Sequence, residues 1–405
     1  MSKSTNKKKI DTYVQEIESL RNSGSFRRLR VIESTGTPYA TMEEKQYLNF
    51  SSNDYLGFLS RPELQQAAIK ATQTWGTGTG SSRLVSGSLK IHQELENLVA
   101  HWKGTPSALI LNSGYTANTT LIPVLAGRHS GVFCDRLSHA SIIDGCFLSR
   151  AKCHRYRHND MDHLKWLLNN HPYSAGRVIF TESIFSMNGD EAPLGELVRI
   201  AKDHDTILVV DEAHANGIYG AGGAGKVEEY GFEKDVDFQV GTFGKALGSF
   251  GAYVACPHKA KELLVNKCRG LIYSTSLPPS VINVNICAVH LVMAERTLRE
   301  DLIQKSLNLR SWIQEKLIQT CGGASQIIPL ILGKNKKALF WSEELLKERI
   351  FVTAIRPPTV PEGTSRLRIS LSALHTHDHI ERLKKVLLTL AQLETKMTYA
   401  GSRKI

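Results

Sequence analysis

The chain has 405 residues, 41% hydrophobic and 22% charged, ordinary globular values with length enough for a large domain and a smaller companion. No apolar run reaches the ~20 residues of a membrane-spanning helix, and the polar, Lys-rich start has no signal-peptide pattern, so a cytoplasmic protein without a membrane partner is expected. The formal net charge of +11 suits nucleic acid or a phosphate-rich small molecule, but without a helix-turn-helix, zinc-finger or RNP-like motif no specific nucleic-acid partner is expected.

Residues 1–30 carry eight basic side chains against three acidic ones, and for Lys3 to Lys9 a solubilising terminus is the plainer reading. Residues 10–20 have helical spacing and should pack across the body. Residues 47–50 read as a strand and 51–57 as a polar turn. A helix from Pro62 to Trp75 opens with Pro in its first turn, and a Gly-rich loop follows over 76–83. From residue 91 the chain alternates. A helix over 91–103 leads to a strand over 108–111, and Asn112-Ser-Gly-Tyr-Thr-Ala-Asn118 opens the next helix. Ser113, Gly114 and Tyr115 there are either a plain N-cap or a phosphate cradle of free N–H groups at a positive dipole end.

A strand over 132–134 leads to Leu137-Ser-His-Ala-Ser141 and a further helix. A helix over 162–168, a strand over 177–180, a polar loop over 182–190 and a helix over 194–202 come next. Two more strands end at Asp211 and just before Lys245, and residues 251–256 read as an antiparallel edge strand. Such alternation predicts an α/β fold with a mostly parallel sheet covered by helices, and everything that follows a strand should gather at one sheet edge. After Pro279 a long helical stretch breaks near Thr297. Strands over 327–332, 351–355 and 366–371, covered by helices over 336–348 and 378–394, predict a smaller α+β domain, and the tail from Thr395 should fray. The expected division is 1–50, 51–285, 286–395 and a tail of 396–405.

Chemistry is concentrated in two stretches. In Asp237-Phe-Gln-Val-Gly-Thr-Phe-Gly-Lys245-Ala-Leu-Gly248 a Lys stands where a buried strand becomes a Gly-rich turn, as a carbonyl cofactor that forms a Schiff base requires. In Thr206-Ile-Leu-Val-Val-Asp211-Glu-Ala-His214 a carboxylate ends a buried strand, where it can keep a pyridine nitrogen protonated, with His214 within reach of the ring hydroxyl. Together they point to pyridoxal phosphate (PLP). Seven Cys without a C-x-x-C pair argue against a disulfide framework or zinc site, so no metal is expected.

The chain resembles the α-oxoamine synthase group of fold-type-I PLP transferases over nearly its full length. The resemblance rests on Ser51-Ser-Asn-Asp-Tyr-Leu-Gly57, Leu137-Ser-His-Ala-Ser141, Phe185-Ser-Met-Asn-Gly-Asp190, Asp211-Glu-Ala-His214, Thr242-Phe-Gly-Lys245 and Ile272-Tyr-Ser-Thr-Ser276. Thr353-Ala-Ile-Arg-Pro-Pro-Thr-Val-Pro361 is most similar to the members that join L-alanine to a pimeloyl thioester of coenzyme A or acyl carrier protein. The resemblance implies that Lys245 binds PLP covalently, Asp211 meets its ring nitrogen, His139 stacks on the ring, and Ser186 and His214 contact the ring oxygen. It gives the phosphate to Thr242 and the Gly114–Tyr115 backbone, with Thr275 reaching the neighbouring subunit's cofactor in a homodimer. Asn53 and Arg368 would clasp the amino-acid carboxylate, and Arg27 and Thr359 the acyl substrate. A glycine acetyltransferase-like sibling and a non-catalytic basic binding protein are the alternatives.

Overall fold

A computed structural model of the chain describes residues 2–36, 38–317 and 323–401. An N-terminal helix α1 (Ser2–Asn22) precedes three short strands, β1 (Ser34–Gly36), β2 (Tyr39–Met42) and β3 (Lys45–Asn49). Two helices follow, α2 (Pro62–Trp75) and α3 (Lys90–Trp102). The alternating region then runs β4 (Ser107–Leu111), α4 (Gly114–Leu125), β5 (Gly131–Asp135), α5 (Ala140–Ser149), β6 (Lys152–Tyr156), α6 (Met161–Asn170) and β7 (Arg177–Glu182). It continues with α7 (Leu194–Asp203), β8 (Ile207–Asp211), α8 (Lys226–Glu229), β9 (Phe238–Thr242) and β10 (Ala252–Cys256). Helices α9 (His258–Lys267), α10 (Arg269–Ile272), α11 (Pro279–Ala294) and α12 (Arg296–Leu317) lead to β11 (Ile327–Gly333), α13 (Asn335–Lys347), β12 (Ile350–Phe351), β13 (Ala354–Ile355), β14 (Ser365–Ser370) and α14 (His377–Gly401).

The large sheet has the order β4-β10-β9-β8-β7-β5-β6, and β10 alone runs against its neighbours. Each central strand is apolar on both faces because both are covered. Leu109, Leu111, Val178, Phe180 and Val209 pack toward α4 and α5, while the alternate residues Ile179, Leu208 and Val210 pack toward α6 and α7. Each such buried aliphatic side chain contributes roughly 1.5–3 kcal/mol. A smaller sheet, β11-β14-β13, carries α13 on one side, and β3 pairs in parallel with β12, joining the first 50 residues to the C-terminal part.

Four expectations are corrected. Strand β10 is not an edge strand: all five of its residues are buried, and it bonds β4 on one side and β9 on the other. The expected strand over 351–355 is two pieces in different sheets, β12 beside β3 and β13 beside β14, separated where Thr353 turns to meet Ser51 Oγ. Helix α1 does not lie across the body. Its residues 11–22 are exposed, with Tyr13 64% and Val14 47% accessible, and only the chain just beyond it docks, through Ser23 O accepting from Asn335. The tail is helical to Gly401 as an extension of α14, and residues 402–405 lie outside the described residues. Strand β6, too polar to be recognised, completes the sheet by pairing with β5.

The break near Thr297 is real: α11 and α12 meet at 75° around Glu295. No single described helix is long and apolar enough to cross a membrane. The turn after Lys245 depends on Gly248, which has φ of 60° and packs so closely that a Cβ would lie 2.7 Å from the Phe58 carbonyl carbon. Gly248→Ala is therefore expected to lower unfolding free energy by about 2–4 kcal/mol, from a left-handed backbone and a backbone clash together. Chemical denaturation reads this directly, and an unchanged midpoint would contradict it.

Candidate active site

The carboxyl ends of the parallel strands face one way, so the residues that follow them meet above the sheet. Asp211 ends β8, Thr242 ends β9, Glu182 ends β7, Ser113 caps α4 after β4, and His139 caps α5 after β5. Lys245 stands three residues past β9 with its side chain half buried.

Its Nζ lies 2.8 Å from His214 Nε2, and His214 Nδ1 lies 2.8 Å from the hydroxyl of the fully buried Tyr55. Tyr55 has one proton, donated to Asn53 Oδ1 at 3.0 Å. His214 must then donate from Nδ1, which leaves Nε2 to accept from the lysine. Arg368, buried on β14, ties off the other end. It donates from Nε to Ser186 O (2.7 Å), from Nη1 to Asn53 Oδ1 (3.1 Å) and Ser370 Oγ (2.7 Å), and from Nη2 to Tyr55 Oη (3.3 Å). Burial and then the Lys245 and Arg368 charges hold the His214 imidazole well below its usual range, so it is neutral here. Burial also pulls the Lys245 amine down to about 8, against the opposing pull of Asp211 and Glu182. A lysine with that pKa has an available lone pair near neutrality.

Asp211 is buried, its Oδ1 accepting from Ala213 N (2.9 Å) and Oδ2 from Asn118 Nδ2 (2.8 Å). Asn118 also donates to Ser141 Oγ at 3.0 Å, which in turn lies 2.8 Å from His139 Nδ1. Glu182 accepts the His139 backbone N–H at 2.6 Å, and burial, with the Asp211 charge second, raises its carboxyl to about 8. Two carboxylates thus share the edge: Asp211 accepts from two donors, and Glu182 is largely protonated near neutrality.

The donor set fits PLP. An amine of lowered pKa can bond an aldehyde, and a buried carboxylate is available to a pyridinium. The first N–H groups of α4 have no acceptor within the helix. Gly114 begins that helix, and outside the helix a Cβ there would meet nothing closer than Thr242 Cβ at 3.9 Å, so the cradle is open for a phosphate between the two predicted phosphate contacts. Ser113 caps the helix by accepting from Thr116 N.

Arg27 and Thr359, 332 residues apart, meet with Nη2 3.4 Å from Oγ1. Thr359 lines two clefts. One of about 770 Å³ is bordered by Arg21, Arg27, Arg28 and Arg356, and one of about 740 Å³ by His139, Ser186 and Asn188. Arg356 holds the chain after α1 by donating to Gly24 O and Phe26 O. Two predicted residues stand apart from the lysine cluster. Thr275 is exposed beside Asn112, and Tyr115 is exposed with its hydroxyl donating to Asp144 at 2.6 Å. Sequence reasoning gave no role to Tyr55, Asn118 or Glu182. All three lie within stretches it marked, but Asn118 sits one helical turn into α4, and only its reach to Asp211 gives it meaning.

The loop over 182–190 is fastened by His158, whose Nδ1 meets Asp135 Oδ1 (2.9 Å) and Nε2 meets Asp190 Oδ2 (2.5 Å), with its ring edge-on to Phe185. Burial opposes charge on this ring, but the two Asp residues outweigh it and raise its pKa to about 9.

A sheet edge carrying this lysine, carboxylate and phosphate cradle defines a fold-type-I PLP-dependent transferase. The description "Aminotransferase class I and II" matches residues 45–387. Among curated relatives, the 8-amino-7-oxononanoate synthase of Geobacter sulfurreducens is 44% identical over 91% of this chain and 94% of its own length. That of Trichlorobacter lovleyi is 46% identical over the same shares. The chain belongs to the 8-amino-7-oxononanoate synthase family. Among solved structures, serine palmitoyltransferase from S. paucimobilis with bound PLP and myriocin is similar at TM-score 0.89 and 32% identity, covering 95% of this chain and 98% of that one. The 8-amino-7-oxononanoate synthase of Francisella tularensis is similar at TM-score 0.75 and 28% identity, covering 87% and 99%.

Two expectations follow. Asp211→Asn should retain PLP by absorbance yet lose on the order of a thousandfold in turnover, about 4 kcal/mol of barrier, because a neutral pyridine is a poor electron acceptor. Near-normal turnover would exclude the role. His158 has a folded pKa above its unfolded value, so its stabilisation is complete below about pH 6.5 and is lost as pH rises through about 9. The stability gap between the wild type and His158→Gln should accordingly be widest near pH 6 and shrink by pH 10, as urea melts across pH will read. A gap independent of pH would mean His158 acts by packing alone.

Proposed function

We propose that this chain joins the α-carbon of L-alanine to the acyl carbon of a pimeloyl thioester, releasing CO₂ and the thiol carrier and giving 8-amino-7-oxononanoate. The observation that carries this reading is the hydrogen-bonded line from Lys245 through His214 and Tyr55 to Arg368, in a chain of this family. PLP, when bound, supplies the electron sink that makes an amino acid's α-carbon nucleophilic.

Arg368, with Asn53 beside it, receives the alanine carboxylate through its charge and the one Nη2 N–H not committed to Tyr55. Because its other N–H groups are already committed, the carboxylate's position is set by the buried side chains rather than by solvent. Lys245, with a pKa near 8, takes the proton from the alanine α-carbon and later returns one to the product. Neutral His214 accepts from the lysine amine and keeps it oriented, without placing a second cation beside it. His139 and Ser186 border the cleft through which the acyl chain enters, and Thr359 offers a hydroxyl where that cleft meets the basic one. The arginines of the basic cleft suit the phosphates of coenzyme A or of a carrier protein's prosthetic arm.

The functional unit in this reading is a homodimer with shared sites. Thr275 would face the partner's phosphate cradle, which accounts for its exposure and for the accessible apolar side chains Val85 and Tyr273 nearby. The body over 51–285 would carry the cofactor, with 1–50 and 286–395 joined to each other by the β3–β12 pairing.

Purified protein given L-alanine or glycine with a panel of acyl thioesters should form 8-amino-7-oxononanoate by mass analysis. A preference for glycine with acetyl-CoA would favour the sibling reaction. Thr359→Val should weaken pimeloyl-thioester turnover by about 1–2 kcal/mol, the scale of one hydrogen bond, while leaving α-proton exchange of alanine without acyl donor unchanged.

A further inference from the structure

Outside the reaction site, three thiols converge in the core. Cys134 comes from β5, Cys146 from α5 and Cys153 from β6, and their Sγ atoms all lie within 4.8 Å of one another. Cys134 and Cys153 approach to 3.6 Å. Cys134 and Cys146 are buried among the apolar residues between sheet and helices, whereas Cys153 is half buried at their margin. Nothing in the chemistry proposed above uses them.

Strand register speaks against a disulfide. Cys153 lies opposite Val132, so Cys134 is its diagonal neighbour across two parallel strands. Diagonal Cα atoms stand roughly 7–8 Å apart, at or past the limit of ~7 Å that a disulfide can bridge without backbone movement. A metal imposes a different spacing. With metal–sulfur bonds of about 2.3 Å, three thiolates around one ion stand about 4 Å apart, within the separations observed here. The cluster has no His, Asp or Glu among the described residues. Structural zinc takes four protein ligands, while a set of soft thiolates alone selects a soft ion such as Cu(I).

We propose that Cys134, Cys146 and Cys153 form a three-thiolate site for a single soft monovalent d¹⁰ cation, of which Cu(I) is the type. Binding exchanges thiol protons for sulfur–metal bonds, with no change in oxidation state. The ion would also tie β5 to the helix that His139 caps, although the thiols touch none of the reacting groups.

The test uses the reduced, PLP-loaded protein, titrated anaerobically with Cu(I) against a chromophoric Cu(I) chelator. One equivalent per chain should be withdrawn from the chelator, with three sulfur neighbours by X-ray absorption. Cys134→Ser and Cys153→Ser should each weaken retention at least tenfold, Cys153→Ser serving also where the buried substitution impairs folding. Cys268→Ser, a buried cysteine outside the cluster, should retain copper as the wild type does. No copper withdrawn, a two-sulfur environment, or undiminished retention in Cys153→Ser would overturn the proposal.

Discussion

Lys245, His214, Tyr55 and Arg368 form one buried polar line, and the surrounding molecule must be arranged so that every member is satisfied. Isolated buried polar groups each cost several kcal/mol, whereas a completed network is stable and rigid. The four residues come from the loops after β9 and β8, the segment before α2, and strand β14, so completing the line requires the large and small sheets to meet in one relative position. Asn53 and the Ser186 carbonyl take two more of the Arg368 N–H groups, which locks the loop over 182–190 and the turn over 51–57 into the same arrangement. The site is thus an assembly point for four distant pieces of chain.

Charge is organised around the same line. Burial lowers both the His214 and Lys245 pKa values, and the guanidinium adds a smaller push in the same direction. The carboxylates work in the other direction. Asp211 is held by Asn118 and a backbone N–H, and its charge, added to burial, leaves Glu182 protonated near neutrality. Directly beneath, Glu212 forms an ion pair with Lys103 at 2.5 Å, both fully enclosed, and also accepts from Val227 N at 3.0 Å. Removing either partner would strand a charge under the catalytic loop. The segment Asp211–His214 is therefore anchored from below as well as above.

In the proposed reaction, chemistry and acyl recognition fall in two different places. The lysine, carboxylate and phosphate cradle lie at the edge of the large sheet. Thr359, Arg356 and the arginines after α1 lie at the outer clefts, built from the chain ends.

Much of this was legible in the amino-acid order alone. Local periodicity and turn chemistry determined the alternating strands and helices, the helix opening after Ser113 and the positions of Asp211 and Lys245 at or just past strand ends, because these features depend on neighbours a few residues away. Only the tertiary structure decided which strand lies where in the sheet. An all-apolar run such as β10 looks the same at an edge and in the interior, and its pairing with both β4 and β9 depends on strands well over a hundred residues apart. The same holds for β12 and β13, for the exposed α1, and for Tyr55, Asn118 and the three thiols, whose meaning comes from partners brought near by long-range packing. Local order is written in short-range spacing, but a site made of side chains scattered from residue 53 to residue 368 exists only once the non-local contacts form.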